Sequence, residues 1–438
     1  MKDIKVLILG GGDSTRYWPL GDKLFMTYLG RPLLYYRLNQ LYKNGFKNIY
    51  LIAGSHNLDK YKLFKNKFPE FSFNIIIQKD KRGMAGAVLS AEDSIKNSPL
   101  LIIKPSDLFE DSLFYHFLKS AKTEDIILTG FTSQNYFPGG YLTVKDGYLQ
   151  HIVEKPDKDN LPSSMTRLVF DYFKDSSLFL NYLKKARSTK DDLYEVALEN
   201  MAKDKHKLYV LNYSGFWGQL QYPWNALNIS SYYLSKIKNY KGQNVQIAKG
   251  AVLKGNVYLE DGVKILENSK IIGPTYIGKN TLIGNNVIIR DSMIGDNCII
   301  GFTTEITRSL IGNNNWFHTN YIGDSIMSDN IALGAGAVIA NFRLDESEIY
   351  SSVGHQKLNT NKIKLGAAIG ENTRIGVNSS IMPGIKIGKN CVIGSGLVIS
   401  RDINDYNSCF LKPDLQIQEN KNASKTKSRE NLKTALKF

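Results

Sequence analysis

Two hydrophobic periods divide this chain. Up to about Trp224, short apolar runs alternate with amphipathic stretches. Ile4–Leu9, Asn48–Ala53, Phe73–Gln78 and Leu100–Lys104 read as strands, and Leu33–Asn44 and Gly86–Asn97 carry helical spacing. Strands alternating with helices predict an α/β domain, a mostly parallel sheet with helices on both faces. Ligands of such sheets sit beyond the strand carboxyl ends. Gly10–Arg16 and Asp107 both follow strands, so both are expected on that edge. Beyond about Lys241 the period becomes six. Ile247, Leu253, Leu259, Ile265, Ile271, Ile277, Ile283 and Ile289 are all aliphatic, and Ile369, Ile375, Ile381, Ile387, Ile393 and Ile399 repeat the step. Such hexads predict an all-β parallel β-helix, in its left-handed, triangular form, an exception to right-handed crossovers. Between the two registers the hexads falter, and Asn341–Lys362 is expected as a loop thrown out from the helix. The boundaries that follow are 1–222 for the α/β domain, 223–241 for a helical linker, 242–411 for the β-helix and 412–438 for a basic, mobile tail.

Composition narrows the picture. A chain of 438 residues exceeds one ordinary core, and 42% hydrophobic with 22% charged residues is the balance of a globular protein. No stretch is long enough to span a bilayer. The first apolar run is short and ends in glycines without a cleavage site, so a cytoplasmic location and no membrane partner are expected. Cys298, Cys391 and Cys409 are too scattered for a disulfide framework or a metal cluster. The formal charge is 56 − 41 = +15, but the lysines are spread along the whole chain rather than gathered in an aromatic-laced stripe. No nucleic-acid partner is expected.

The chemistry begins at LILGGGDSTRYWPLGDK, Leu7 to Lys23. The stretch holds neither G-x-G-x-x-G nor G-x-x-x-x-G-K-[ST]. Amides from Gly10 to Ser14, with Arg16 and Lys23 nearby, would still make a nest for several phosphates. On these residues alone a tight turn and a phosphate site both remain open.

The continuation resembles the sugar-1-phosphate nucleotidylyltransferases, whose opening is roughly G-G-x-G-T-R-x-x-P-L, then a Lys, then G-[KR]-P-[LM]-[LI]. The matching segments are GGGDSTRYWPLGDKLFMTYLGRPLLYY, QKDKRGMAGAV, the strand end at Asp107, GGYLTV, VEKP and GFWGQLQYPWN. The second half resembles the acyltransferase domain of archaeal-type two-domain enzymes that make UDP-N-acetylglucosamine, through FHTNYIGDS and GAGAVIANFR. The resemblance implies a Rossmann-like nucleotidyltransferase domain. There the phosphate oxygen of a sugar 1-phosphate attacks the α-phosphorus of a nucleoside triphosphate and expels pyrophosphate. It places Gly10, Gly11, Gly12, Asp13, Ser14, Thr15 and Arg16 at the triphosphate and Lys23 at the α-phosphate. Gln78 and Gly83 fall at the base, Gly140, Glu154 and Lys155 at the sugar, and Asp107 with Gln219 at Mg²⁺. On the β-helix it implies acetyl transfer from acetyl-CoA to an amino-sugar 1-phosphate, with His318 as general base, Tyr321 and Asn341 in support, and a homotrimeric assembly.

The chain also departs from the pattern. Ser14 replaces a usual Gly, Ser106 a Gly before Asp107, and Gln219 a second metal carboxylate. No Asn-x-Gly for the sugar is visible in SMTRLVFDYF (Ser164–Phe173). Ser347 and Tyr350 stand where phosphate-binding lysines are usual, leaving Lys357, Lys362 or Lys364 to substitute. Two other readings therefore stay open: a sugar-nucleotide-binding regulatory or scaffold subunit, and a mannose-1-phosphate guanylyltransferase. Gln78 suits a pyrimidine, from UTP or dTTP.

Overall fold

The computed structural model describes residues 3–133, 136, 138–412 and 416–420; most of the tail expected over 412–438 lies outside them. A nine-stranded sheet carries the first half. Its first four strands in space, Asn74–Ile77, Asn48–Ala53, Lys5–Leu9 and Leu100–Ile103, run parallel. Val6, Leu7 and Ile8 are fully buried, because helices cover both faces of a parallel strand and leave no side of it wet. Beyond them Met165–Phe173 enters antiparallel, and the sheet is mixed from there on. The helix expected over 86–97 starts earlier and breaks: Gly83–Leu89 and Glu92–Ile95 are separate. Ser90 causes the break. Its Oγ takes the amides of Lys79 and Asp80 and donates to the Gly86 carbonyl, and such local bonds compete with a helix.

The second half is a left-handed parallel β-helix whose walls are three sheets of eight, nine and eight strands. One aliphatic residue per side points inward, as the hexads require. Where the hexads falter the column does not stop. It continues through Ile294, Ile300, Ile306, Ile311, Phe317, Ile322, Met327, Leu333 and Ile339, all buried. Several of these steps are five residues because a corner is one residue shorter. Asp291, Arg308 and Asp324 turn such corners with φ of 49°, 47° and 46°. Most other corners use Asn, which tolerates that left-handed backbone better than most residues.

The connecting segment contains a helix, Asn225–Ser235, after which Tyr240–Lys241 already pairs with Val257–Leu259 as a β-helix strand. The insertion after Asn341 is ordered. Tyr350–Val353 and Gln356–Asn359 form an antiparallel hairpin, and Lys362 Nζ reaches back to Asn228 Oδ1 at 2.9 Å. One apolar core runs across both halves: Tyr28, Leu33 and Tyr233 belong to the same cluster as Tyr276, Met293, Leu310, Ile326, Ile349 and Leu365. Among the described residues no helix is long and apolar enough to cross a membrane.

Candidate functional site

Beyond the carboxyl ends of the parallel strands lies a cleft of about 950 Å³, lined by Gly10 to Ser14, Lys23, Gln78, Gly83, Lys104 and Ser106 among others. Glycine lets the chain pass close here. A Cβ on Gly11 would strike Gln78 Oε1, and one on Gly83, whose φ is +52°, would strike Asp191 Oδ1. The loop's first carbonyl, Gly10 O, is held by Asn57 Nδ2 at 3.0 Å and Tyr61 Oη at 2.8 Å. Ser14 occupies the left-handed region at φ 56° without being glycine, and its buried Oγ has no hydrogen-bond partner. Thr15 does not line the cleft; its amide donates to Asp13 Oδ1 at 3.2 Å. Lys23 opens a short helical turn capped by Asp22, whose Oδ1 accepts the Leu24 amide. Burial, with Lys104 beside it, pulls the Lys23 ammonium down to about 8, while Asp107 and Asp22 partly restore it. A cation held this way is short of counter-charge, as a site for a polyanion should be.

A second, smaller cavity of about 180 Å³ adjoins the cleft and shares Lys104 with it; Arg16, Gly140, Glu154, Lys155, Asp107 and Gln219 line it. Asp107 is 1% exposed. Lys104 Nζ lies 3.1 Å from its Oδ1, yet neither carboxylate oxygen accepts a hydrogen bond. The antiparallel pairing of Trp217–Gln219 with Asp107–Phe109 puts Gln219 directly opposite Asp107. A buried carboxylate without donors facing a carboxamide is a hard-oxygen pair that suits a cation such as Mg²⁺. The pair is small: among the described residues no group of three or more His, Cys, Asp or Glu is arranged to hold a metal ion. Glu154 and Lys155 form an ion pair at 3.1 Å.

On the β-helix the three expected residues divide. Tyr321 Oη donates to Asn341 Oδ1 at 3.3 Å, and the buried Asn341 Nδ2 donates to Asp324. Gly323 makes the space, since a Cβ there would strike both Asn341 and Tyr321. Asp324 is in turn gripped by Arg308 through two bonds, at 2.7 and 2.8 Å. His318 is exposed on the neighbouring corner, where it lines a shallow groove with Trp316, Arg374, Val392 and Ser395. Ser347 is engaged by Arg343 at 2.8 Å, and Tyr350 is exposed. Of the three candidate lysines, Lys362 is the half-buried one, its ammonium pulled down by burial and partly restored by Asp324; Lys364 lies over the Phe342 ring, and Lys357 is exposed.

The sequence profile described as nucleotidyl transferase matches residues 5–225, and two hexapeptide-repeat profiles match 274–308 and 366–401. The chain is similar to the bifunctional sugar-1-phosphate nucleotidylyltransferase/acetyltransferase of Sulfurisphaera tokodaii, at 32% identity over 410 residues, covering 91% of this chain and 98% of that one. The chain belongs to that bifunctional family. It is also similar to the bifunctional protein GlmU of Methanococcus vannielii, at 26% over 94% of this chain and 99% of that one, and of Methanocaldococcus jannaschii, at 29% over 93% and 98%.

For a bifunctional nucleotidylyltransferase/acetyltransferase, two features of the first site were missed in the sequence. Lys104 is one, although its position three residues before Asp107 was a signal. The other is the side wall of the small cavity. Arg167 stands in the stretch where the sugar motif is unrecognisable, and its buried guanidinium bonds Asp171 and, at 2.6 Å, Glu195. Burial pushes the Glu195 carboxyl up to about 7 against the pull of Arg167, with Glu154 adding to the push. Nothing local betrays Glu195, which lies 28 residues further on and enters from a helix.

Proposed function

We propose that the first half transfers a nucleotidyl group from a nucleoside triphosphate to a sugar 1-phosphate. A phosphate oxygen of the sugar 1-phosphate bonds to the α-phosphorus, the bond from that phosphorus to the β-phosphate oxygen breaks, and pyrophosphate leaves with the electron pair. The observation that carries this reading is the Asp107 carboxylate, buried in the wall of the small cavity with no hydrogen bond accepted, Lys104 Nζ 3.1 Å away, Lys23 near and Gln219 opposite. The amides of Gly10 to Ser14, the partnerless Ser14 Oγ and the guanidinium of Arg16 take the triphosphate. Lys23 and Lys104 balance charge as it moves toward the leaving group. Asp107 and Gln219 would hold Mg²⁺, which supplies charge neutralisation between the phosphates when bound. Gln78 spends its NH₂ on the carbonyls of Asp80 and Gly83, at 2.8 and 3.3 Å. Its Oε1 is left as an acceptor, which suits the ring N–H of uracil, thymine or guanine and not the ring acceptor of cytosine. Gly140, Glu154 and Lys155 face the sugar.

In the same reading the β-helix acetylates an amino-sugar 1-phosphate. The amine attacks the acetyl-CoA thioester carbonyl, His318 takes the proton, and the thiolate of coenzyme A departs. Tyr321 and Asn341 orient the reactants. The assembly is a homotrimer, and the location is the cytoplasm.

Two measurements test this. Pyrophosphate release is followed with UTP, dTTP and GTP across a panel of sugar 1-phosphates, for the wild type and for Asp107→Asn. Turnover with at least one pair, lost in the variant, is expected; no turnover with any pair makes the first half a binding scaffold. Thiol release from acetyl-CoA with glucosamine 1-phosphate is compared between the wild type and His318→Ala. Equal rates would leave the β-helix an assembly module.

A further inference from the structure

The phosphate loop is held from two sides, and the two holds come from different halves of the molecule. Its amino-terminal side is fixed within its own domain by Asn57 and Tyr61 on Gly10 O, and His56 Nε2 lies 3.3 Å from Gly12 O. Its carboxyl-terminal side ends in Tyr17, fully buried with its hydroxyl on Met26 Sδ, followed at once by Trp18. The Trp18 side chain leaves the domain. Its indole N–H donates to Asp405 Oδ1 at 2.8 Å, 387 positions away on the last coil of the β-helix. Asp405 is itself braced, for the same oxygen accepts the Lys389 amide at 3.1 Å. Beneath the indole lies a second partner. Lys386 Nζ is 4.8 Å from the centre of a Trp18 ring and its residue is 5% exposed. That ammonium is also bonded to the Ser352 carbonyl of the hairpin, with Asp402 Oδ2 at 3.7 Å. A buried cation needs such partners, and the face of an indole is one of the better ones.

Between the two anchors the loop is held by short bonds of its own, the Thr15 amide to Asp13 Oδ1 and the Tyr17 amide to Ser14 O. Residues 10–16 include three glycines and a serine in the left-handed region, and Arg16 stands two residues before Trp18. We infer that the Trp18–Asp405 bond, with Lys386 under the indole, sets the carboxyl-terminal side of the phosphate loop, so that the last coils of the β-helix position the loop for nucleotidyl transfer. Trp18, Lys386 and Asp405 are then positioning residues that act through the loop amides and Arg16 without touching substrate. The inference rests on the assignment of Gly10–Arg16 to the triphosphate.

The test uses full-length Trp18→Phe, Asp405→Ala, Asp405→Asn and the Trp18→Phe/Asp405→Ala double variant, each measured for pyrophosphate release. Trp18→Phe keeps a ring over Lys386 and removes the N–H; Asp405→Asn keeps the acceptor oxygen. KM for the nucleoside triphosphate should rise about five- to twentyfold in Trp18→Phe and Asp405→Ala, with kcat changed less. The double variant should be no worse than either single one, as for two ends of one contact, and Asp405→Asn should return most of the affinity. Thiol release from acetyl-CoA in the same preparations should stay at the wild-type rate. Amide hydrogen exchange is read in parallel. Tyr17, Trp18 and Leu20 bond Ser14, Thr15 and Tyr17 carbonyls in the loop turn. These amides should exchange faster in Asp405→Ala, while those of the 386–399 coils stay protected. KM within twofold of wild type in both single variants, additive effects in the double variant, or unchanged loop exchange would each overturn the inference. A wild type without pyrophosphate release removes the functional reading instead, and the exchange comparison then decides alone whether the coil holds the loop.

Discussion

Ser14 carries two opposed effects in one side chain. Its backbone at φ 56° costs an L-residue about 1 kcal/mol relative to glycine, while its buried Oγ has no partner in the protein and, in the proposed function, takes a phosphate oxygen. Ser14→Gly should therefore stabilise the protein by about 0.5–1 kcal/mol in denaturant unfolding, and raise KM for the nucleoside triphosphate about three- to tenfold. A variant that gains stability without losing affinity would remove the hydroxyl from the site. Lys23 makes a second prediction. Its pKa is lowered to about 8, so the free enzyme holds it charged below that pH and neutral above. Because kcat/KM reports the free enzyme, kcat/KM for the nucleotide should fall above about pH 8. Bound phosphates favour the ammonium, so kcat should hold to higher pH. Parallel falls in both would argue against Lys23 facing the phosphates.

At the scale of the element, the β-helix shows how far a period can be trusted. The hexads at Leu259–Ile289 and Ile369–Ile399 became buried columns as their spacing requires, while on the first coil Ile247 is half-buried and Leu253 is 39% exposed. The disturbed middle proved to be the same column with shortened corners, and it is there that Tyr321, Gly323, Asp324 and Asn341 meet. The shortened coil brings Asp324 to a corner with its carboxylate between Arg308 and Asn341. Gly323→Ala is the sharpest probe of this arrangement, since the added Cβ displaces both Asn341 and Tyr321. Thiol release from acetyl-CoA should drop by at least about tenfold, at a stability cost of about 1–3 kcal/mol, with pyrophosphate release unchanged. Unimpaired acetyl transfer would mean that these two side chains do not orient the reactants.

In the whole molecule the α/β domain is not tethered to the β-helix by a free linker. The helix Asn225–Ser235 and the hairpin at Tyr350–Asn359 fill the junction, and tyrosines of both halves share one core. The β-helix still exposes large apolar side chains, among them Trp316 at 53%, Phe302 at 56% and Val398 at 68%. Trp316 and Val398 stand on different walls, and the proposed homotrimer is a closed cyclic assembly of the common kind. Light scattering at micromolar concentration should give a trimer, near three times the 49.4 kDa of the chain. A monomeric mass would leave His318 and its groove without a neighbouring copy and disprove the assembly.

What the sequence determined by itself was whatever is carried by neighbours along the chain. The strand–helix alternation, the six-residue period, the glycines and Ser14 of the loop, Lys23 and Asp107 are local patterns, because backbone freedom and side-chain period are local physics. The tertiary structure decided what depends on residues far apart. It set Gln219 opposite Asp107 across a two-strand ladder and brought Glu195 to Arg167. It also took Ser90 out of a helix to cap Lys79 and Asp80, and hung Trp18 on Asp405. None of these pairs has a spacing that a period or a turn would impose. Each exists only where the folded chain brings distant residues together, and at Arg167 and Glu195 the buried charges are paired as burial demands.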